Sequence, residues 1–165
     1  MKRLSLLRHG RAEPAVAGVA DFDRALDRRG QSEASAIARR CFDLGLIPQL
    51  VLASPALRTR QTADIVIREL ELSPRALLLD DNLYLAESAA LLAGIAAIGP
   101  RIEHLLLVAH NPGITMLARY LLPDTTIAEF ATGTLGTMEL DIDAWGDLRP
   151  GRSRAWQVDA PRLWF

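Results

Sequence analysis

The chain has 165 residues, a single cysteine and a formal net charge of −1. That length suits one domain, residues 1–165, and an apolar fraction of 50% supports a sizeable core. The balanced charge gives no global pull toward nucleic acid or an anionic membrane, and lone Cys41 excludes an internal disulfide.

The opening "MKRLSLL" briefly looks like a secretion signal, but its apolar run is short and Arg8 and His9 break it. No run of about 18 apolar residues follows, so no membrane-spanning helix is expected. The expectation is a soluble, cytoplasmic, monomeric protein with no nucleic-acid or membrane partner.

"RLSLLR" (3–8) reads as a buried strand. Residues 10–29 lack a period and read as a loop. In "GQSEASAIARRCFDLGL" the residues Ala34, Ile37, Ala38, Cys41 and Phe42 mark one helical face, and Gly45 ends it. "QLVLAS" (49–54) is a second strand; Ser54 suits a helix cap and Pro55 a first turn. Ala63, Val66, Ile67 and Leu70 continue that helix's inner face. "RALLLD" (75–80) is a third strand and "ESAALLAGIAAIG" (87–99) a helix. "HLLLVA" (104–109) is a fourth strand. Asn111 then caps a helix with Pro112 first and Ile114, Leu117, Ala118 and Leu121 facing inward. "TLGTMELDI" (134–142) and "RAWQVDA" (154–160) complete the strands, with "GDLRPG" between them.

Strands alternating with helices predict an α/β fold: a mostly parallel central sheet between two helical layers. Ligands in such folds bind at the carboxyl ends of the strands. "RHG", "SPALR" and "AHNPG" fall at those ends, after the first, second and fourth strands. They bring Arg8, His9, Arg58 and His110 to one sheet edge. Two arginines and two histidines repel one another unless an anion sits among them, and the guanidinium fork matches a phosphate. The helix starts after Ser54 and Asn111 add backbone donors. A neutral imidazole at such a place is a nucleophile that can take up a phosphoryl group.

"LLRHGRA", "SPALRTRQTA" and "LLVAHNPG", in that order over residues 3 to about 140, resemble the histidine phosphatase superfamily, the phosphoglycerate mutase-like fold. The resemblance implies His9 as nucleophile, Arg8 and Arg58 as phosphate ligands, and His110 as a contact to phosphoryl oxygens. It implies no cofactor and no metal. At this length there is no room for a large lid. The pattern D-x-x-R-x-L-x-x-x-G at Asp21, Arg24, Leu26 and Gly30 is similar to the short bacterial phosphohistidine phosphatases, the SixA-like group. That group implies an open groove and a phosphorylated protein as substrate. Alternatives are a small phosphomonoester such as a sugar or nucleoside phosphate, or a non-catalytic phosphate-binding module. "RAEPAVA" lacks the polar residue and Asn that mutases carry after RHG, which argues against a sugar-phosphate mutase.

An oxygen leaving group also needs a proton. Asp21, Glu13 and Glu87 are the candidate acids, and the SixA-like pattern favours Asp21. Arg24 is either a second anion contact or a surface charge. Arg60, about 200° round the helix from Arg58, is expected on the surface. His104 is expected in an exposed loop. Trp145, Trp156 and Trp164 are expected to pack the tail. The three histidines and one cysteine show no ligand spacing for a structural metal.

Overall fold

The structure, a computed structural model, describes residues 1–161. Trp164 lies outside the described residues. Ten regular elements follow one another: β1 (Lys2–Arg8), α1 (Arg28–Asp43), β2 (Leu50–Ala53), α2 (Leu57–Glu69), β3 (Leu77–Leu79), α3 (Ser88–Ala96), β4 (His104–Ala109), α4 (Gly113–Leu121), β5 (Leu135–Leu140) and β6 (Ser153–Asp159). Strand order across the one sheet is β3-β2-β4-β1-β5-β6. β3, β2, β4 and β1 are parallel neighbours, while β5 runs antiparallel to both β1 and β6. This is the mostly parallel sheet expected, closed on one side by an antiparallel pair, with no large lid.

Period-two alternation divides the core. Leu105 and Leu107 of β4 meet Leu91, Ile95, Ile114 and Leu117 on one face. Leu106 and Val108 meet Ile37, Ala38, Ala63 and Val66 on the other. So α3 and α4 cover one face and α1 and α2 the other, the three layers read from the alternation of elements. All six residues of β4 are buried, which is why that strand carries a continuous apolar run.

Several details differ from the sequence reading. Phe42 is 70% exposed, not on the inner face of α1. Five residues from Ile37 carry it about 140° round the helix, off the buried stripe. Within the supposed loop at 10–29, Asp21–Asp23 form a 3-10 turn, Ala12 bridges Leu26, and α1 starts at Arg28. β3 shrinks to three residues because it is the sheet edge, with Leu78 and Leu79 exposed. His104 is not in an exposed loop. It opens β4 at 7% exposure, its Nε2 2.9 Å from Ser5 Oγ, which is 3.0 Å from Thr137 Oγ1. Trp145 is core, its Nε1 donating to the Ile102 carbonyl at 2.9 Å, and Trp156 packs against the same cluster. Among the described residues no helix is long and apolar enough to cross a membrane.

Two glycines let the first motif meet α1. A Cβ on Gly10 would lie 2.4 Å from the Gly30 carbonyl oxygen, and one on Gly30 would lie 2.0 Å from that of Arg11. Both neighbours are backbone, so neither gives way cheaply. Asp27 caps α1 by accepting from the Gly30 N–H at 2.7 Å, which fixes this contact. Gly30→Ala is therefore expected to lower stability by about 1–3 kcal/mol, the usual cost of overpacking, read from urea unfolding. An unchanged midpoint would show that the contact is loose.

Candidate active site

The parallel register levels three strand ends. Arg8 of β1 stands opposite Ala109 of β4, and Ala53 of β2 opposite Val108. His9 follows the first, Ser54 to Arg58 the second and His110 the third. The His9 and His110 rings meet edge to face, centroids 5.4 Å apart. Arg58 Nη2 lies 3.3 Å from His110 Nδ1. The structure thus brings His9, Arg58 and His110 together, with Arg8 adjoining on β1.

Partner chemistry assigns the tautomers. His9 Nδ1 is 2.7 Å from the Gly10 carbonyl, which can only accept. Nδ1 therefore carries the proton, and the lone pair sits on Nε2. Arg58 can only donate, so His110 Nδ1 accepts and its Nε2 donates to Ser54 Oγ at 2.7 Å.

Arg58 is 2% exposed. Its Nη1 donates to the Asp21 carbonyl at 2.8 Å and its Nη2 to Asp21 Oδ2 at 3.1 Å. Arg8 Nη1 donates to the Phe130 carbonyl at 2.9 Å, a carbonyl it shares with Asn111 Nδ2 at 2.8 Å. The Nε of Arg8 and the Nε of Arg58 are buried without a partner. Buried donors are normally satisfied, so these two guanidinium N–H groups at one strand edge are free to receive an oxyanion. Neither Ser54 nor Asn111 caps a helix. The caps of α2 and α4 are Ala56 and Pro112, with no side-chain cap bond. Ser54 instead holds His110, and Asn111 accepts from Thr115 Oγ1 at 2.7 Å while fixing the Phe130 carbonyl.

Asp21 enters the site, but as an ion-pair partner and not as a proton store. Oδ1 accepts from Arg24 Nε at 3.0 Å and Nη2 at 2.9 Å, and Oδ2 from Arg58 and from the Tyr84 hydroxyl at 2.5 Å. The Tyr84 bond first, then Arg24 and Arg58, hold its carboxyl well below the ordinary carboxylate range despite some burial. An acid so held is ionised at neutral pH and has no proton to give. Arg24 is thus a clamp on Asp21, its Nη1 also holding the Glu13 carbonyl at 2.8 Å. Glu13 itself is exposed. Glu87 is the N-cap residue of α3, exposed, and among the described residues its side chain makes no hydrogen bond. Arg60 is exposed as expected.

Tyr84 and Ser54 escaped the sequence reading as site residues. Tyr84 stands just past the β3 end, its ring edge on to His110 at 5.7 Å. Its position at a strand's carboxyl end was the available signal.

Burial first, then the nearby arginines, push the His9 imidazole down to about 4. Burial first, then His9 and Arg58, push His110 down to about 3. Both rings are neutral at pH 7, the state a nitrogen nucleophile requires. Buried His104 is also pushed down, to about 4. In all three the folded value lies below the unfolded one of about 6.5, so the unfolded chain binds the proton first. Stability is complete above about pH 6.5 and is lost as pH falls toward 4, by about 3 kcal/mol for a shift of this size. Urea titrations between pH 7 and 4 should show this loss, and His104→Gln should flatten the slope. Stability independent of pH across that window would contradict buried neutral imidazoles.

Level strand ends thus carry two neutral histidines beside buried Arg58 and half-buried Arg8 at one edge of an α/β sheet. The histidine phosphatase superfamily (branch 1) matches residues 4–83. Solved structures extend the match to nearly the whole chain. A structure named for the phosphohistidine phosphatase SixA of Agrobacterium tumefaciens is 29% identical, covers 97% of this chain and 98% of its own, and gives a TM-score of 0.79. Another SixA-named structure, from Nakamurella multipartitia, is 27% identical over 94% of this chain and 95% of its own, with a TM-score of 0.78. An uncharacterised chloroplastic protein of Arabidopsis thaliana is 41% identical over 61 residues, 37% of this chain but only 28% of that protein. A Picosynechococcus protein matches at 40% over 63 residues, 38% of either chain. The chain thus spans well under half the length of the curated relatives it matches. Residues 4–83 resemble the histidine phosphatase superfamily, and the fold is that of the SixA structures.

Proposed function

We propose that this chain is a metal-independent phosphatase that works through a covalent phosphohistidine on His9 and acts on phosphohistidine carried by a protein. The observation that supports the reading best is the His9 tautomer: Nδ1–H held by the Gly10 carbonyl and a lone pair on Nε2. Nε2 attacks phosphorus, a P–Nε2 bond forms, and the bond to the leaving group breaks with its electron pair on the departing atom. Arg8 and Arg58 balance the phosphoryl oxygens in place of a cation. Water then attacks phosphorus, the P–Nε2 pair returns to the imidazole, and both water protons stay on the product phosphate.

The choice of leaving group follows from the acid. Asp21 is held as a carboxylate and, among the described residues, Glu87 makes no side-chain hydrogen bond to the site, so a strongly basic alkoxide has no evident proton donor. An imidazole protonated on its distal nitrogen leaves as a neutral base and needs none. The bond broken and the bond formed are then both P–N, so the transfer is close to balanced. The SixA names of the structural neighbours support the same substrate class.

His9→Ala is expected to abolish hydrolysis of phosphohistidine peptides and of aryl phosphates, and rapid acid-free quenching of wild type should trap a phosphoenzyme. Residual turnover in the variant with no trappable phosphoenzyme would rule out the covalent route. Asp21→Asn is expected to lower kcat/KM by about tenfold, for the loss of a charged hydrogen bond to Arg58, and equally for aryl and alkyl phosphates. A loss confined to alkyl phosphates would instead make Asp21 the proton donor.

A further inference from the structure

Four rings run in one line from the nucleophile to the surface. His9 meets His110 at 5.4 Å, His110 meets Tyr84 at 5.7 Å and Tyr84 meets Phe22 at 5.1 Å, with interplanar angles of 61°, 81° and 80°. All three contacts have the edge-to-face geometry that aromatic rings prefer. The Tyr84 hydroxyl is tied to Asp21 Oδ2, and Asp21 is tied in turn to Arg24 and Arg58, so the Tyr84 ring has little freedom to turn. Phe22 sits in the adjoining 3-10 turn and stays 39% exposed, an aromatic edge left in water at the open end of the line. Exposed Leu85 follows Tyr84, and exposed Val19 precedes Phe22 in the same loop. Phosphate binding needs none of this apolar surface.

We propose that Tyr84 and Phe22 form the leaving-group wall of the site, and that this wall selects phosphoryl donors whose departing atom belongs to a flat ring, the imidazole of phosphohistidine above all. The inference rests on the phosphatase reading of His9. A ring bonded to phosphorus near His9 Nε2 extends away from the attacking nitrogen and lies against the Tyr84 face or edge. A sugar or glycerol group in the same place needs polar partners for its hydroxyls. Both oxygens of Asp21 are already engaged by Arg24, Arg58 and Tyr84. The wall therefore offers ring contacts and few polar partners, its one hydroxyl already donated to Asp21. In the transfer itself the P–N bond to the substrate ring breaks, its electron pair stays on that ring nitrogen, and the ring departs as neutral imidazole if its distal nitrogen carried the proton.

The test compares kcat/KM for phosphoimidazole with kcat/KM for glycerol 3-phosphate in wild type, Tyr84→Leu, Tyr84→Phe and Phe22→Leu. The ratio is expected to fall about 3–10-fold in Tyr84→Leu, the worth of one aromatic contact. It should fall less in Phe22→Leu and hold within about twofold in Tyr84→Phe, which keeps the ring and loses the hydroxyl. A merely structural role would depress both substrates together and leave the ratio unmoved. Phe22 is exposed, so Phe22→Leu reports even if Tyr84→Leu fails to fold. An unchanged ratio in both leucine variants would overturn the wall. Wild type that cleaves neither substrate and forms no phosphoenzyme would overturn the phosphatase reading, a result that the ratio cannot mimic.

Discussion

The buried guanidinium of Arg58 is the constraint from which the site is built. A guanidinium keeps its charge in proteins, and an unmet charge in the interior costs several kcal/mol. Arg58 must therefore be buried with its partners already in place. Asp21 supplies two of them, a carbonyl and a carboxylate oxygen, and His110 supplies a third through its Nδ1 lone pair. This forces the segment between β1 and α1 to fold back over the strand ends. Arg24 holds Asp21 from the solvent side, an Arg11–Asp27 pair closes the loop's base, and the Gly10–Gly30 contact seats it on α1. A loop with only one 3-10 turn and one β-bridge is thus fixed by the need to neutralise one cation.

The same requirement sets the state of the two imidazoles. Each lies in a buried place among arginines, and a proton on either would add charge where charge is already in excess. Neutrality makes His110 an acceptor for Arg58, and it leaves His9 with a lone pair. The carbonyl of Gly10 then decides which nitrogen holds that pair. In the proposed phosphoenzyme the imidazole would carry positive charge, and the Nδ1–H bond to the carbonyl would strengthen. Nucleophile orientation and charge suppression have one origin, the concentration of arginine at the sheet edge.

Much of this was legible in the sequence where a residue's role depends on its own strand or helix. The alternation of strands and helices gave the three layers, β4 was recovered residue for residue, and topology alone gathered Arg8, His9, Arg58 and His110. The failures came from long-range partners. Whether Asp21 holds or gives a proton depends on Tyr84, 63 residues away, and on Arg58, 37 away. His104 looked exposed because Ser5, which satisfies it across the sheet, is 99 positions away, and Ser5 is held in turn by Thr137, 132 positions from it. Ser54 and Asn111 have the chemistry of caps, yet each is taken by a tertiary partner, His110 for one and the Phe130 carbonyl for the other. Local chemistry says what a side chain can do; the fold says which of its options is used.

Charge balance ties these threads to the ligand. Arg58, Arg8 and Arg24 all act on His9, while Asp21 is the carboxylate in direct contact with two of the three. Without substrate that set is cationic, and the imidazoles carry the consequence as depressed basicity. A phosphoryl dianion brings the set to neutrality. Under the proposed reading the orphaned Nε–H groups of Arg8 and Arg58 would receive its oxygens. A monoanionic carboxylate leaves the set cationic and fills fewer donors. Glu33 and Glu129 also act on Arg8, so Asp21 is one of several acids that offset the arginines at this edge. Asp21 keeps the resting site foldable and leaves room for two negative charges, so its fixed ionisation serves binding directly and would be defeated by a role as proton donor.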